Sequence, residues 1–501
     1  MRRRLLAAVI GLVFAAGCAP KMTPAMAPRP LVPPKRGVNA LKADLASYYQ
    51  APEFQNAVWG VLVKSLATGE TLFALNPGTF LMPASNMKVV TMAAAAERLG
   101  WDYTFTTKVL ATGPVEGGVL KGDLVVIGSG DPSLGGRPTE GPSVLERWAD
   151  QVRARGITRV DGRLIGHDNV FDDEGLGQGW SWDYLAYGYA TPVGGLDFNE
   201  NVVRLSFTPG SAAGDPVAVT ARPEGSGLTI EAAVKTAPAD GTGDVNVARP
   251  PGSRRLGVSG SVPAGRMDVT QTVSVENPTE FLVGAFRQAL SSRGIDVTGG
   301  AVDVDSLPAP SDVTGAETLV TCTSPPLSEI GKVLMKVSQN LYADTLLKVI
   351  GRPADGGPAT IREGRRVLGE VLGAWGIAPD QYLQADGSGL SRYNYLTAGV
   401  LVTVLTRMYS EDRHYEPFIT ALPIAGVDGT IAGRMKDTRA QGNARAKTGS
   451  IANARALSGY VTSADGEPLV FSMIVNNFNV PQSQADAVID RAVVRLADFR
   501  R

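Results

Sequence analysis

Ser85 and Lys88 stand three residues apart, a spacing at which a hydroxyl and an amine can act as a nucleophile and its base. Lys88 alone among the chain's lysines has a serine three positions before it. Two further stretches follow in order. Ser338-Gln339-Asn340 contains the only serine followed two places later by asparagine, and Lys447-Thr448-Gly449 is the only triplet of its kind. Together they read S-x-x-K, S-x-N, K-T-G, a set that can supply a nucleophile, a base and a second cation for acyl transfer. Residues three apart share one helical face, so the Ser85 hydroxyl and the Lys88 amine are within reach of each other. Lysine can serve as a base only where burial or a second cation lowers its pKa. The flank of Val89, Val90 and Met92 would supply burial, and Lys447 the cation. An isolated S-x-x-K would read as a helix-capping serine beside a surface lysine; the presence of all three motifs reverses that.

Histidine scarcity removes the main competing mechanism. The chain has two, His167 and His414. His414 closes the charged run Ser410-Glu411-Asp412-Arg413-His414, which reads as a solvated helix end, and His167 reads as a strand end. No G-x-S-x-G elbow is present, which argues against a Ser-His-Asp hydrolase. No H-E-x-x-H or paired-cysteine spacing occurs either, so no metal and no other cofactor is expected.

These residues need a frame. Residues 83–93, rich in alanine and methionine, predict a helix that ends near Gly100. Residues 58–75 alternate around the turn Ala67-Thr68-Gly69-Glu70 and predict a hairpin. Near the other end, residues 445–451, 456–462 and 469–476 predict three consecutive strands, with Asp465-Gly466 as the last turn. A closing helix over 482–499 carries Ala487, Val488, Ala492, Val493 and Leu496 at helical spacing. Setting the first hairpin beside the last three strands gives a five-stranded antiparallel sheet with helices on both faces, an α/β (α+β) architecture. Lys447 would then face the Ser85 helix.

Between these ends the chain is rich in strands and glycine turns, and its length exceeds one ordinary core. The expected organisation is a split catalytic domain over 38–104 and 305–501. A first inserted domain covers 105–195 and 274–304, and a nested β-rich domain covers 196–273. Ser338 and Asn340 fall within 330–350, read as one long helix with the motif near a bend.

Arg2, Arg3 and Arg4 precede an apolar run over 5–16, the pattern of a signal peptide spanning 1–17 and too short to cross a membrane. Ala15-Ala16-Gly17-Cys18 resembles a bacterial lipobox, with Ala15 where leucine is usual, so Cys18 is the expected lipid attachment site. Ordinary cleavage, with Cys18 removed or left as a free thiol, is the alternative. Residues 18–37 form a proline-rich tether. Alanine after the cysteine favours the outer membrane, so the expected address is the periplasm, anchored through Cys18. Cys322 is the only other cysteine, and no internal disulfide is expected. The net charge is −1, and loss of the leader removes three arginines, which argues against a nucleic-acid partner.

The three motifs, the long insertion between the first two, and the stretches Asp386-Gly387-Ser388-Gly389-Leu390-Ser391-Arg392, 128–134 and 422–430 carry a resemblance. Over residues 38–500 the chain resembles the low-molecular-mass class C penicillin-binding proteins, the D-alanyl-D-alanine carboxypeptidase/endopeptidase family. The resemblance implies a penicillin-recognising serine transpeptidase/β-lactamase-like domain with inserted β-rich domains. It implies a serine DD-peptidase working through an acyl-enzyme, with peptidoglycan stem peptides as substrates and β-lactams as covalent inhibitors. By the same resemblance Ser85 is the nucleophile, Lys88 its base, Ser338 the proton relay and Asn340 the residue holding the substrate amide. Lys447 supports Ser338, while Thr448, Gly449 and Ser450 bind substrate, Thr448 and Ser450 at its terminal carboxylate. The backbone N–H groups of Ser85 and Ser450 form the oxyanion hole. Ser388 and Arg392 match pocket residues. Residues 128–134 and 426–430 read as structural turns. Trp180-Ser181-Trp182-Asp183-Tyr184 is similar to a stretch that reaches over the family's active site, where a carboxylate meets the free amine of the stem peptide. Asp183 and Tyr189 are the candidates for that pocket; two tryptophans packing domains beside an exposed aspartate would look the same in sequence. A β-lactamase or esterase on this fold is disfavoured by the insertion and by the lack of a dedicated deacylating glutamate. A non-catalytic lipoprotein or β-lactam sensor is disfavoured by the complete motif set.

Overall fold

The computed structural model describes residues 37–136, 141–309 and 312–501. The leader, nearly all of the tether and Cys18 lie outside the described residues. The central sheet is five-stranded and antiparallel, ordered Thr71–Leu75, Val58–Ser65, Pro468–Asn476, Ala454–Thr462, Arg445–Ile451. Its strands are apolar on both faces, and the period-2 alternation divides them between two cores. Phe471, Met473 and Val475 join Val61, Val63 and Leu457 against the helices Val38–Tyr49 and Gln482–Ala497. Val470 and Ile474 point the other way, with Ala456 and Tyr460. That second face packs on the helices Met87–Leu99, Asn340–Ile350 and Ala398–Ser410. The hairpin, the three late strands and the sheet that joins them follow the sequence expectation.

The insertion is built on a second five-stranded sheet ordered Ala301–Asp303, Leu164–His167, Leu124–Ile127, Thr106–Ala111, Glu317–Thr323. The last of these strands lies past residue 304, where the insertion was expected to end. Its antiparallel pairing with Thr106–Ala111 keeps it in the inserted sheet. Residues 202–274 add two three-stranded sheets. They do not form a core of their own. Val203, Leu205 and Phe207 join Trp148, Phe281 and Phe286 of the helices Val144–Ala154 and Pro278–Ser292 in one apolar cluster.

Two further expectations are corrected. The stretch 330–350 is two helices, Leu327–Lys336 and Asn340–Ile350, because Ser338 takes a left-handed φ of 62° that no helix can continue through. His414 is buried rather than solvated: Trp101 Nε1 donates to its Nδ1 at 3.1 Å, and its Nε2 lies 3.1 Å from Glu97. The bonds tie helix Asp412–Ala421 to the C-terminal end of the Ser85 helix. No helix among the described residues is long and apolar enough to cross a membrane.

Candidate active site

Ser85 lies in a single 3-10 turn, Ala84–Asn86, that leads directly into helix Met87–Leu99. Two glycines press closely on this turn. A Cβ at Gly449 would sit 2.3 Å from the Pro83 carbonyl oxygen, and one at Gly389 would sit 1.9 Å from the Ala84 carbonyl oxygen. Gly449 therefore serves close approach of the edge strand to the nucleophile turn. Asn86 Nδ2 fastens that approach by donating to the Lys447 carbonyl at 3.1 Å.

Lys88 is fully buried, and its amine has three acceptors: Ser85 Oγ at 2.9 Å, Asn340 Oδ1 at 2.6 Å and the Ser388 carbonyl at 2.7 Å. The last two oxygens can only accept, so an amine with one lone pair turns that lone pair toward the hydroxyl. This is the geometry of a base for Ser85. Burial pushes the Lys88 amine down to about 8, against the opposing pull of Asp344 and Asp386. Burial is the largest cause for Lys88, and the expected cation at Lys447 shares a reciprocal repulsion with it. Lys447 is itself buried, and burial together with Lys88 lowers its own amine. It donates to Ser338 Oγ at 2.8 Å and to the Thr448 carbonyl at 3.0 Å.

Ser388 is fully buried and does not line a substrate pocket. Its carbonyl braces Lys88, and its loop is wound around two buried carboxylates. Asp344 Oδ1 accepts from the Gly387 and Ser388 amides at 2.7 and 2.9 Å. Asp386 accepts from Gly389 and Ser391 amides, Asn394 Nδ2 and Trp180 Nε1, each at 2.7 or 2.8 Å. Burial and then Asp386 push Asp344 up to about 8. Asp344 belongs to none of the three motifs, and its signal in the sequence is its place four residues after Asn340, on the same helical face.

Asn340, expected to hold the substrate amide, commits its oxygen to Lys88 and donates Nδ2 to the Tyr189 carbonyl at 2.7 Å. The Tyr189 ring stacks on Tyr187, with centroids 5.5 Å apart, and meets Tyr184 edge-on at 5.7 Å. Burial is the main cause that raises its phenol to about 12. Asp183, Trp182 and these tyrosines line a cavity of about 370 Å³ with Arg249. Trp182 is 70% exposed, whereas Trp180 is pinned to Asp386, so only one of the two tryptophans joins the parts together. Arg392 reaches the Tyr184 hydroxyl at 3.2 Å. Thr448 Oγ1 bonds Thr430 Oγ1 at 2.8 Å, which brings one residue of the turn 426–430 to the K-T-G motif, and Ser450 is exposed on the edge strand.

A serine whose hydroxyl faces the lone pair of a buried lysine, with a second serine–lysine pair beside it, defines a serine acyl-transfer enzyme on a mixed α/β frame. The chain matches the D-Ala-D-Ala carboxypeptidase 3 (S13) family over residues 41–498, and it belongs to that family. It is similar to the D-alanyl-D-alanine carboxypeptidase of Actinomadura sp., 36% identical over 471 residues that cover 92% of this chain and 85% of the relative. The D-alanyl-D-alanine carboxypeptidase DacB of Haemophilus influenzae is 27% identical over 435 residues, covering 85% and 87%. The crystal structure of penicillin binding protein 4 from H. influenzae matches with a TM-score of 0.78 at 25% identity, covering 91% of this chain and 100% of that one. A second structure of that protein holds a β-lactam. The chain is a serine-type D-Ala-D-Ala peptidase.

Because Lys88 acts as a base only when neutral, and its depressed pKa lies near 8, its active form grows as pH rises through that value. The expected kcat/KM on a D-Ala-D-Ala peptide climbs about tenfold per pH unit below pH 7.5 and levels off above about 8.5. A profile flat from pH 6 to 9 would refute Lys88 as the base.

Proposed function

We propose that this peptidase cleaves the terminal D-Ala-D-Ala bond or D-Ala cross-links of peptidoglycan through an acyl-enzyme on Ser85, and that β-lactams trap the same serine. The observation that carries this reading is the 2.9 Å contact between Ser85 Oγ and the buried Lys88 amine. Lys88 takes the hydroxyl proton as Ser85 Oγ attacks the carbonyl of the penultimate D-alanine. Negative charge then develops on the carbonyl oxygen, where the backbone N–H groups of Ser85 and Ser450 are the donors. Ser338, held by Lys447, hands a proton to the leaving amine; water then attacks the ester, its proton restoring Ser338 while the proton on Lys88 returns to Ser85. Thr448 and Ser450, at the open edge strand, receive the terminal carboxylate. The β-lactam held by the H. influenzae relative supports the same acylation here. Ser85→Ala is expected to abolish both peptide hydrolysis and the mass increment left by penicillin, with the fold retained. Label surviving on the variant would overturn the assignment.

The cavity beside Asp183 and Tyr189 supports a pocket for the stem-peptide side chain, with Arg392 at its rim through Tyr184. A cation on that side chain would pair with Asp183, an exposed carboxylate on the cavity wall, contributing about 1 kcal/mol. Asp183→Ala should therefore lower kcat/KM on an amine-bearing stem peptide by roughly two- to tenfold while leaving penicillin acylation nearly unchanged. Acetylating the substrate amine should reproduce the loss in the wild type and add little in the variant. Equal slowing of penicillin and peptide would make Asp183 structural.

The arginines, the apolar run and Gly17-Cys18 support export to the periplasm and a lipid anchor at Cys18 on the outer membrane. Cys18→Ser should release the protein from membranes and abolish incorporation of labelled fatty acid. Unchanged fractionation without lipid in the wild type would leave an ordinary cleaved leader.

A further inference from the structure

Asn199, Glu200 and Asn201 are consecutive residues with side chains, and all three take left-handed φ values of 52°, 55° and 55°. Such a run is unfavourable at every step and persists only where surrounding bonds over-determine it. Those bonds are present. Asn201 is fully buried; its Oδ1 accepts from the Phe198 amide at 3.1 Å, and its Nδ2 donates to the Pro192 carbonyl at 2.9 Å and to Asp197 at 2.6 Å. Asn199 donates its amide to the Leu134 carbonyl at 2.9 Å and its Nδ2 to the Val202 carbonyl at 2.7 Å. The neighbouring chain leaves Glu200 little freedom, since a Cβ at Gly136 would lie 2.7 Å from its Cγ.

The strained tripeptide aims one carboxylate at the second catalytic motif. Glu200 accepts from Gln339 Nε2, the middle residue of S-x-N, and lies 3.4 Å from the Tyr342 hydroxyl one turn further along the same helix. Gln339 is held at its other end as well: its Oε1 accepts from the Leu341 amide as the cap of helix Asn340–Ile350, and its backbone amide donates to the Leu334 carbonyl at 3.1 Å. On one side of Gln339 stands Ser338, in a left-handed conformation of its own, with Lys447 on its hydroxyl. On the other stands Asn340, with its oxygen on Lys88. A rotation of Gln339 would therefore displace the relay serine and the Lys88 acceptor together.

We infer that Glu200 is a positioning residue: through Gln339 it holds Ser338 and Asn340 in the geometry the reaction uses. The inference rests on the assignment of Ser338 and Asn340 to the chemistry. It differs from substrate selection at Asp183, because Glu200 acts on the motif rather than on any part of the substrate. A misplacement of about 1 Å at reacting groups can lower a rate by about a hundredfold. The loss should fall on turnover and not on binding, and on peptide and penicillin alike.

The test is a charge-and-amide swap across the pair, read in steady-state kinetics and penicillin acylation rates. Glu200→Ala is expected to lower kcat on a D-Ala-D-Ala peptide and the penicillin acylation rate by roughly ten- to a hundredfold, with KM within about twofold. Gln339→Glu alone sets two carboxylates face to face and should lose a similar factor. Glu200→Gln with Gln339→Glu restores one donor and one acceptor and should recover most of that loss, a rescue that general damage to the fold would not give. A double variant no better than Gln339→Glu would overturn the inference, as would a fully active Glu200→Ala. Asn340→Ala is the control. If it is impaired while Glu200→Ala is not, the inference alone fails; if it is fully active, the site assignment and the inference fail together.

Discussion

A primary amine out of contact with water is tolerable only where acceptors reach it, and the Lys88 amine draws its three from three separate parts of the chain. Ser85 comes from its own helix, Asn340 from the helix after the second motif, and the Ser388 carbonyl from a loop wound on Asp344 and Asp386. That one requirement fixes much of the surrounding structure. The loop must come close enough that only glycine fits at 389, and the edge strand close enough that only glycine fits at 449. Burial lowers the pKa of the amine, and the same burial makes its supports indispensable.

Helix Asn340–Ile350 is where the two halves of the molecule are fastened together. The Tyr189 carbonyl takes the Asn340 amide at its first turn. Near its other end, the fully buried Lys348 amine pairs with Asp172 of the insertion at 2.6 Å, with the Phe171 ring close by. Lys348 is fully buried and Asp172 partly so, and removing Asp172 would strand the lysine's charge in the interior. The insertion is therefore part of the active-site frame, not an appendage that brings specificity alone.

The order of the three motifs, the first hairpin, the late strands and the closing helix were legible because each rests on local spacing or on alternation that both cores preserve. What escaped depends on contacts distant in sequence. His414 sits in a charged run, yet Trp101 and Glu97 bury it from more than 300 residues away. Apolar periodicity ran through Ser338 because periodicity carries no information on a single residue's φ. Ser388 looked like a polar pocket residue, and the feature that matters is its carbonyl, which every residue has. Glu317–Thr323 and the shared core of residues 202–274 likewise depend on long-range pairing that composition does not report.

The pairing of Val58–Ser65 with Pro468–Asn476 also sets a timetable. A chain emerging at roughly 5–20 residues per second presents its first hairpin on the order of tens of seconds before the strand that completes it exists. The insertion, whose sheets draw on residues 106–323, has all its parts well before then. The order of synthesis thus leaves the apolar Ser85 helix and first hairpin as the segments in longest need of shelter from aggregation. It also delays the site: Ser85 and Lys88 are made together early, but the strand carrying Lys447 and Ser450 comes only near the end of synthesis, so a half-made chain lacks the third motif.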